Sequence, residues 1–91
     1  GATPLMLASQ EGRVAAVQTL IESKVNLHTQ DADGETALNK AVYGRHWEIV
    51  NLLLLKEKEL SLPPEKRLVF FVNNRGETPL FELIKRKPRK Q

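Results

Sequence analysis

The chain repeats one arrangement of apolar and polar positions: a short apolar segment, a longer amphipathic segment and a polar turn. In residues 1–33, Thr3 and Pro4 predict the start of a helix, because the threonine can cap it and the proline suits its first turn. The apolar face of this first segment is Leu5, Leu7 and Ala8. The second segment has a one-sided helical spacing of i, i+1, i+4 and i+5. The residues of this stripe are Ala16, Val17, Leu20 and Ile21. The pattern predicts a helix that ends at Gly12, a second helix and an extended turn.

The same arrangement returns 33 residues later. Thr36 and Leu38 begin the second copy, and Leu60 lies 33 residues after Leu27. The stripe is reproduced in register by Ile49, Val50, Leu53 and Leu54. A unit of two helices and a turn cannot bury its stripe alone, so neighbouring units are expected to stack.

A third copy begins later than the period predicts. The pattern Gly-x-Thr-(Pro or Ala)-Leu starts at Gly1, Gly34 and Gly76, so the second interval is nine residues longer than the first. The extra residues lie in 62–72, "LPPEKRLVFFV", where two prolines oppose a helix. We expect an extended segment or a short strand there.

Two interpretations of this insertion remain open from the sequence. In one, Leu68, Phe70 and Val72 fold back over the open end of an incomplete third unit. In the other, the insertion presents Phe70 or Phe71 to a partner. The first is favoured because an exposed apolar run promotes aggregation.

The units define the expected organisation of the chain. Repeat one spans 1–33, repeat two 34–61, the insertion 62–72, and a partial third repeat with a basic tail 73–91. Pro88 and basic residues occupy the place where the third unit's second helix would begin. We also expect possible self-association through an uncapped N-terminal end.

These motifs resemble the ankyrin repeat family. The resemblance is carried by "GATPLMLAS", "EGRVAAV", "TLIESKVNLH", "GETALNKAV", "RHWEIVNLLLLKEKELS" and "GETPLFELI". It implies an all-α stack of about two and a half repeats that acts as a non-catalytic protein-interaction module or scaffold. Lys24 and Glu57 stand where the family has a glycine, and the resemblance predicts a left-handed backbone at both.

The resemblance also implies a partner-binding surface, formed by the turn tips and the ends of the first helices on the concave side. Tyr43 is its only aromatic residue, and aromatic residues and arginines are favoured binding anchors. The partner is expected to be another protein, whose identity the sequence does not give. The candidate residues are Gln30, Asp33, Glu35, Tyr43, Asn74, Arg75, Glu77, Lys85 and Arg86.

Charge and residue types narrow the function classes. Five of the 14 basic residues lie in the last seven positions, which leaves nine basic against 11 acidic residues elsewhere. The alternative function is therefore an adaptor whose basic tail binds nucleic acid or an acidic surface, although nucleic acid is the less favoured partner. The longest apolar run is too short to span a membrane.

The sequence shows little material for catalysis. His28 and His46 occupy structural positions of the repeat, and no nucleophile–base pair or metal-ligand spacing is visible. We therefore expect no enzyme activity, no catalytic residue, no metal site and no cofactor. The chain has no cysteine, which fits a reducing compartment, and we expect a cytoplasmic or nuclear location.

Overall fold

The computed structural model describes residues 2–86, without the side chains of Glu82, Lys85 and Arg86, as two layers of helices. The inner layer holds the first helix of each unit, and α3 contacts both α1 and α5. The outer layer holds α2 and α4, which contact each other. The helices are α1 (Pro4–Glu11), α2 (Val14–Glu22), α3 (Ala37–Tyr43), α4 (Trp47–Lys58) and α5 (Pro79–Arg86).

Local signals fix where the inner helices begin and end. The Thr3 hydroxyl accepts a hydrogen bond from the Met6 N–H at 3.2 Å, and Pro4 is the first helical residue of α1. In α3, the Asn39 carboxamide oxygen accepts a hydrogen bond from the Thr36 N–H at 3.0 Å. The predicted helix starts are therefore confirmed. Gly12 ends α1 with φ at 74°, as predicted.

The core follows the predicted stripes with two corrections. Leu7 is half exposed and Met6 is buried in its place, because Leu5, Met6, Ala8 and Ser9 share the inward side of the short helix α1. Ala16 is exposed, whereas Val17 is fully buried. Val17 and the α4 stripe form a common core with the inner helices.

The two residues that stand where the family has a glycine, Lys24 and Glu57, differ in backbone conformation. Lys24 has φ at 61°, so the left-handed backbone predicted there is confirmed. The prediction for Glu57 is wrong, because α4 continues to Lys58 and Glu57 is a buried helical residue. The left-handed residue after α4 is Ser61, with φ at 54°. Part of the nine-residue excess therefore extends the outer helix.

The insertion forms two 3₁₀ turns, Pro64–Lys66 and Leu68–Phe70, and no strand occurs in residues 2–86. The prediction of an extended segment or a short strand is therefore wrong for the residues that form these two turns. Leu68 is fully buried, but Phe70 and Val72 are exposed. The Leu68 N–H donates to the buried Glu57 carboxylate at 2.7 Å. The buried Leu68 side chain and this hydrogen bond to α4 thus hold the insertion against the stack.

Candidate partner-binding surface

Two projecting turns carry most of the candidate residues. We call residues 30–35 the first finger and residues 72–77 the second finger. The first is closed by a hydrogen bond from the Asp31 N–H to the Glu35 carbonyl at 2.9 Å. The second is closed by the equivalent bond from the Asn73 N–H to the Glu77 carbonyl, also at 2.9 Å. The fingers are two copies of one turn.

One side chain shapes each finger from within. The Asp31 Oδ1 atom accepts from the backbone N–H groups two and four residues later, at 2.9 and 3.0 Å. The Asn73 Oδ1 atom accepts from the corresponding two groups, also at 2.9 and 3.0 Å. Aspartate and asparagine favour such turns because their side-chain oxygen satisfies nearby N–H groups.

The two fingers are joined along their length. The Asn74 N–H donates to the Asp33 carbonyl at 2.9 Å, and its side-chain amide donates to the Ala32 carbonyl at 2.7 Å. The Gln30 side chain donates across to the Val72 carbonyl at 3.3 Å. Each finger therefore restricts the movement of the other.

A lysine of α3 forms ion pairs with two carboxylates of the first finger. Lys40 Nζ lies 2.9 Å from Asp31 Oδ2 and 3.2 Å from Glu35 Oε1. Burial raises the pKa of Asp31, but the Glu35 N–H and Lys40 outweigh it and hold that pKa below its usual value. Burial lowers the pKa of Lys40, and the two carboxylates outweigh it, so the Lys40 pKa is raised.

Arg75 connects the second finger to the first finger and to the end of α3. Its guanidinium lies 2.9 Å from Glu77 Oε1 and 3.2 Å from Glu35 Oε2. It also donates to the Tyr43 hydroxyl at 3.2 Å. The side chain of Arg75 remains largely exposed. A charged group and an aromatic ring from distant parts of the chain are therefore held together at the surface.

The structure brings most of the predicted candidate residues together and gives them different roles. Asp33, Asn74 and Arg75 are exposed, and Tyr43 is half-buried. Glu35 is buried, so its carboxylate positions Lys40 and Arg75 rather than forming open surface. Gln30 is exposed and Glu77 is half-buried, and the side chains of Lys85 and Arg86 lie outside the described part of the structure.

Sequence reasoning missed three residues that build this surface: Asp31, Lys40 and Asn73. A signal for two of them was present, because Asp31 and Asn73 each stand three residues before the finger glycine. The role of Lys40 depends on the folding of α3 beneath the finger, which the local sequence pattern does not show.

The histidines make structural contacts. His28 Nε2 lies 2.5 Å from Glu57 Oε2, and the His28 ring packs against Phe71 with centroids 5.4 Å apart. His46 Nε2 lies 3.1 Å from the Gln10 carbonyl oxygen. In residues 2–86, no three His, Asp or Glu side chains are grouped so that they could hold a metal ion. No helix in that range has the length and apolarity to cross a bilayer.

Known proteins with ankyrin repeats match this chain in sequence. The family model described as ankyrin repeats (3 copies) matches residues 1–63. Ankyrin repeat and SAM domain-containing protein 6 of Rattus norvegicus is 43% identical over 63 residues, covering 68% of this chain and 7% of that protein. Rabankyrin-5 of Mus musculus is 41% identical over 72 residues, covering 78% of this chain and 6% of that protein. The chain therefore spans a small part of these relatives.

Solved structures also resemble this chain. The human ASB11 ankyrin repeat domain superposes with a TM-score of 0.71 and 31% identity, covering 89% of this chain and 33% of that one. A second match lies in the complex of the Bd0816 predatory endopeptidase from Bdellovibrio bacteriovorus with immunity protein Bd3460. Its TM-score is 0.72 at 31% identity, covering 94% of this chain and 40% of that one.

Proposed function

Because the chain belongs to the ankyrin repeat family, whose repeats are generally protein-interaction modules, we propose that it binds another protein through its fingers and the end of α3, without catalysis. The observation that carries this proposal is the junction at Arg75. One exposed guanidinium contacts Tyr43, Glu35 and Glu77, which come from three separate parts of the chain.

The hydrogen bonds within and between the fingers favour binding because they order the surface before a partner arrives. Association costs free energy for each side chain and loop that must be immobilised, and a surface that is already ordered avoids part of that cost. Asp33 and Asn74 at the tips already have their backbone groups paired across the fingers. The exposed Asp33 side chain is therefore presented to a partner from an ordered backbone, and the Asn74 amide is itself held by the Ala32 carbonyl.

The chemistry of the surface indicates what kind of partner it suits. Tyr43 supplies an aromatic surface, Arg75 lies beside it as a base, and Asp33 adds an acid at the first finger tip. Tyrosine and arginine are enriched among residues that contribute most to binding. A protein with an apolar anchor and mixed charge would suit this surface, whereas a uniformly acidic polymer would not.

We expect a partner to be captured from the finger side. A photo-crosslinking amino acid at Asp33, an exposed residue of the first finger tip, should capture it, whereas the same group at Gln18, an exposed residue of the outer helix α2, should not. With that partner in hand, Tyr43→Ala should weaken binding at least tenfold, or about 1.4 kcal/mol. Isothermal titration calorimetry would measure the change.

The matched control for this experiment is Gln18→Ala, which should leave the dissociation constant unchanged. A circular dichroism melt of Tyr43→Ala should show that the fold is kept. If Tyr43→Ala is folded and binds normally while Gln18→Ala is impaired, the partner uses the outer layer and the proposal fails.

A further inference from the structure

One buried carboxylate lies where the insertion meets the rest of the stack, shortly before the second finger begins. Glu57 is 3% exposed, and its Oε2 atom accepts a hydrogen bond from the Leu68 N–H at 2.7 Å. The same oxygen lies 2.5 Å from His28 Nε2. A single atom of Glu57 therefore joins the turn after α2, the end of α4 and the insertion.

A row of contacts continues from this carboxylate to the finger tips. The His28 ring packs against the Phe71 ring, with centroids 5.4 Å apart. Next along the row, the Gln30 side chain donates to the Val72 carbonyl at 3.3 Å, and Asn74 is bonded to the first finger at the tip. The contacts of His28 lie at the base of this row, so they position the chain as it enters the second finger.

Few other buried contacts hold the insertion in place. Leu68 is the only buried residue of 62–72, and each 3₁₀ turn of this segment has three residues. A segment with few buried apolar contacts opens locally at a low cost in free energy. The hydrogen bonds to Glu57 therefore have a large share in keeping the insertion closed.

The charges of two groups determine how strong these contacts are. The Leu68 N–H can only donate, so Glu57 must accept. A buried carboxylate is costly unless it is paired and hydrogen-bonded, and a protonated His28 provides both. Loss of the His28 proton removes the paired charge. A proton on Glu57 instead replaces charge-assisted hydrogen bonds by weaker neutral ones.

The neighbouring charged groups do not duplicate this pair. Among the described residues, His28 is the only basic side chain that forms an ion pair with Glu57. Lysine and arginine keep their charge while histidine titrates, and exposed carboxylates titrate at lower pH. The cations of the adjoining segments are Lys24, Lys56, Lys58, Lys66 and Arg67. The exposed carboxylates there are Glu22, Glu59, which pairs with Lys56, and Glu65.

We propose that His28 and Glu57 form a charge-dependent latch, which holds the second finger against the first most firmly when His28 is protonated and Glu57 is ionised. Loss of the His28 proton as the pH rises therefore loosens the insertion and the finger that follows it. The latch acts on the finger whether or not a partner is present, and its effect on partner binding rests on the function proposed above.

Nuclear magnetic resonance of the whole chain tests the latch without a partner. Between about pH 5 and 8, where histidine titrates, the ring resonances of His28 and the amide resonance of Asn74 should change with the same midpoint. His46, whose ring lies 3.1 Å from the Gln10 carbonyl oxygen, is the internal control, and Asn74 should not follow it. In Glu57→Gln, the Asn74 resonance should lose its dependence on His28.

Amide hydrogen exchange measures how far the finger loosens. Glu57→Gln keeps the size of the side chain and removes its charge. The Asn74 N–H, which donates to the first finger, should exchange at least tenfold faster in this variant, whereas the His46 N–H, which donates within the second unit, should be unchanged. Glu59→Gln, the matched control, removes an exposed charge just after the same helix and should change neither rate.

Two sets of results would overturn this inference. In the titration of the wild-type protein, the Asn74 resonance would follow His46 or neither histidine. In the exchange experiment, Glu57→Gln would leave the Asn74 rate unchanged, or accelerate Asn74 and His46 equally, which would mean a loss of overall stability and no local release. The titration uses the unmodified chain, so it decides the question even if the variant folds poorly.

Discussion

At the scale of single residues, the two fingers use different side chains to accept the same two backbone hydrogen bonds. Asp31 and Asn73 each accept two backbone hydrogen bonds through Oδ1. Only Asp31 also pairs with Lys40, at 2.9 Å. The chain therefore contains a natural comparison between a charged and a neutral residue at the same structural position.

This comparison predicts a graded result for two substitutions. Asp31→Asn should retain the turn hydrogen bonds, as Asn73 does, and lose only the ion pair with Lys40, at a cost of about 0.5–1.5 kcal/mol in unfolding free energy. Asp31→Ala should cost more, about 1–3 kcal/mol, because the Asp33 and Glu35 N–H groups also lose their acceptor. Urea unfolding would measure both. Equal costs for the two variants would contradict this account of the finger.

The lowered pKa of Asp31 predicts a pH dependence with a definite sign. A carboxylate with a lowered folded-state pKa stabilises the protein above its ordinary value of 3.8 and loses that stabilisation as the pH falls through the folded-state value. The gap in stability between wild type and Asp31→Asn should therefore narrow below that pH. Urea unfolding midpoints of both proteins, measured from neutral to acid pH, would show this narrowing. A difference in stability that stays constant with pH would mean that the ionised Asp31 carboxylate does not stabilise the fold.

At the scale of elements, the predictable parts are those governed by local rules. The caps at Thr3 and Thr36 and the left-handed Gly12 follow from neighbouring residues, and the structure confirms them. The choice between Leu7 and Met6 is different. An eight-residue helix has too few turns to define its inward side, and packing against α3 decides it.

The insertion shows the limit of local rules more clearly. Its composition suggested a strand, but a strand requires a neighbouring edge for its hydrogen bonds. Instead, the Leu68 N–H is satisfied by the buried carboxylate of Glu57, at 2.7 Å. The extension of α4 brings that carboxylate to the insertion. A prediction from residues 62–72 alone could not have included this partner.

The anchoring role of Leu68 predicts unequal effects along the insertion. Leu68 is 0% exposed and Phe70 is 44% exposed. Leu68→Ala should lower the unfolding free energy by about 2–4 kcal/mol, because it leaves a cavity and removes buried apolar surface. Phe70→Ala, the matched control, should cost less than about 1 kcal/mol. Thermal or urea unfolding would compare them, and the reverse order would show that Phe70 covers the stack.

At the scale of the whole molecule, function depends on contacts between residues that are distant in sequence. Most of the candidate residues that the sequence resemblance predicts lie together on the two fingers and the end of α3. It could not show that Glu35 is buried beneath Arg75, since these residues are 40 positions apart and meet only when the units stack. The finger surface therefore arises from the arrangement of the repeats and not from any one unit.

The basic C-terminal tail supplies the last prediction, because it separates the finger surface from a charge-driven adaptor. Residues 87–91 carry three positive charges and lie outside the described residues. Peripheral charge mainly accelerates encounter, whereas buried anchors slow dissociation. With the crosslinked partner identified above, deletion of 87–91 should therefore lower the association rate, and Tyr43→Ala should raise the dissociation rate.

Surface plasmon resonance at two ionic strengths distinguishes these effects. At about 0.01 M the Debye length is roughly 30 Å, and at about 0.15 M it is roughly 8 Å. The effect of the deletion should largely disappear at the higher value, whereas the effect of Tyr43→Ala should persist. If the deletion abolishes binding at both ionic strengths while Tyr43→Ala binds normally, the basic tail is the binding element and the finger surface is not.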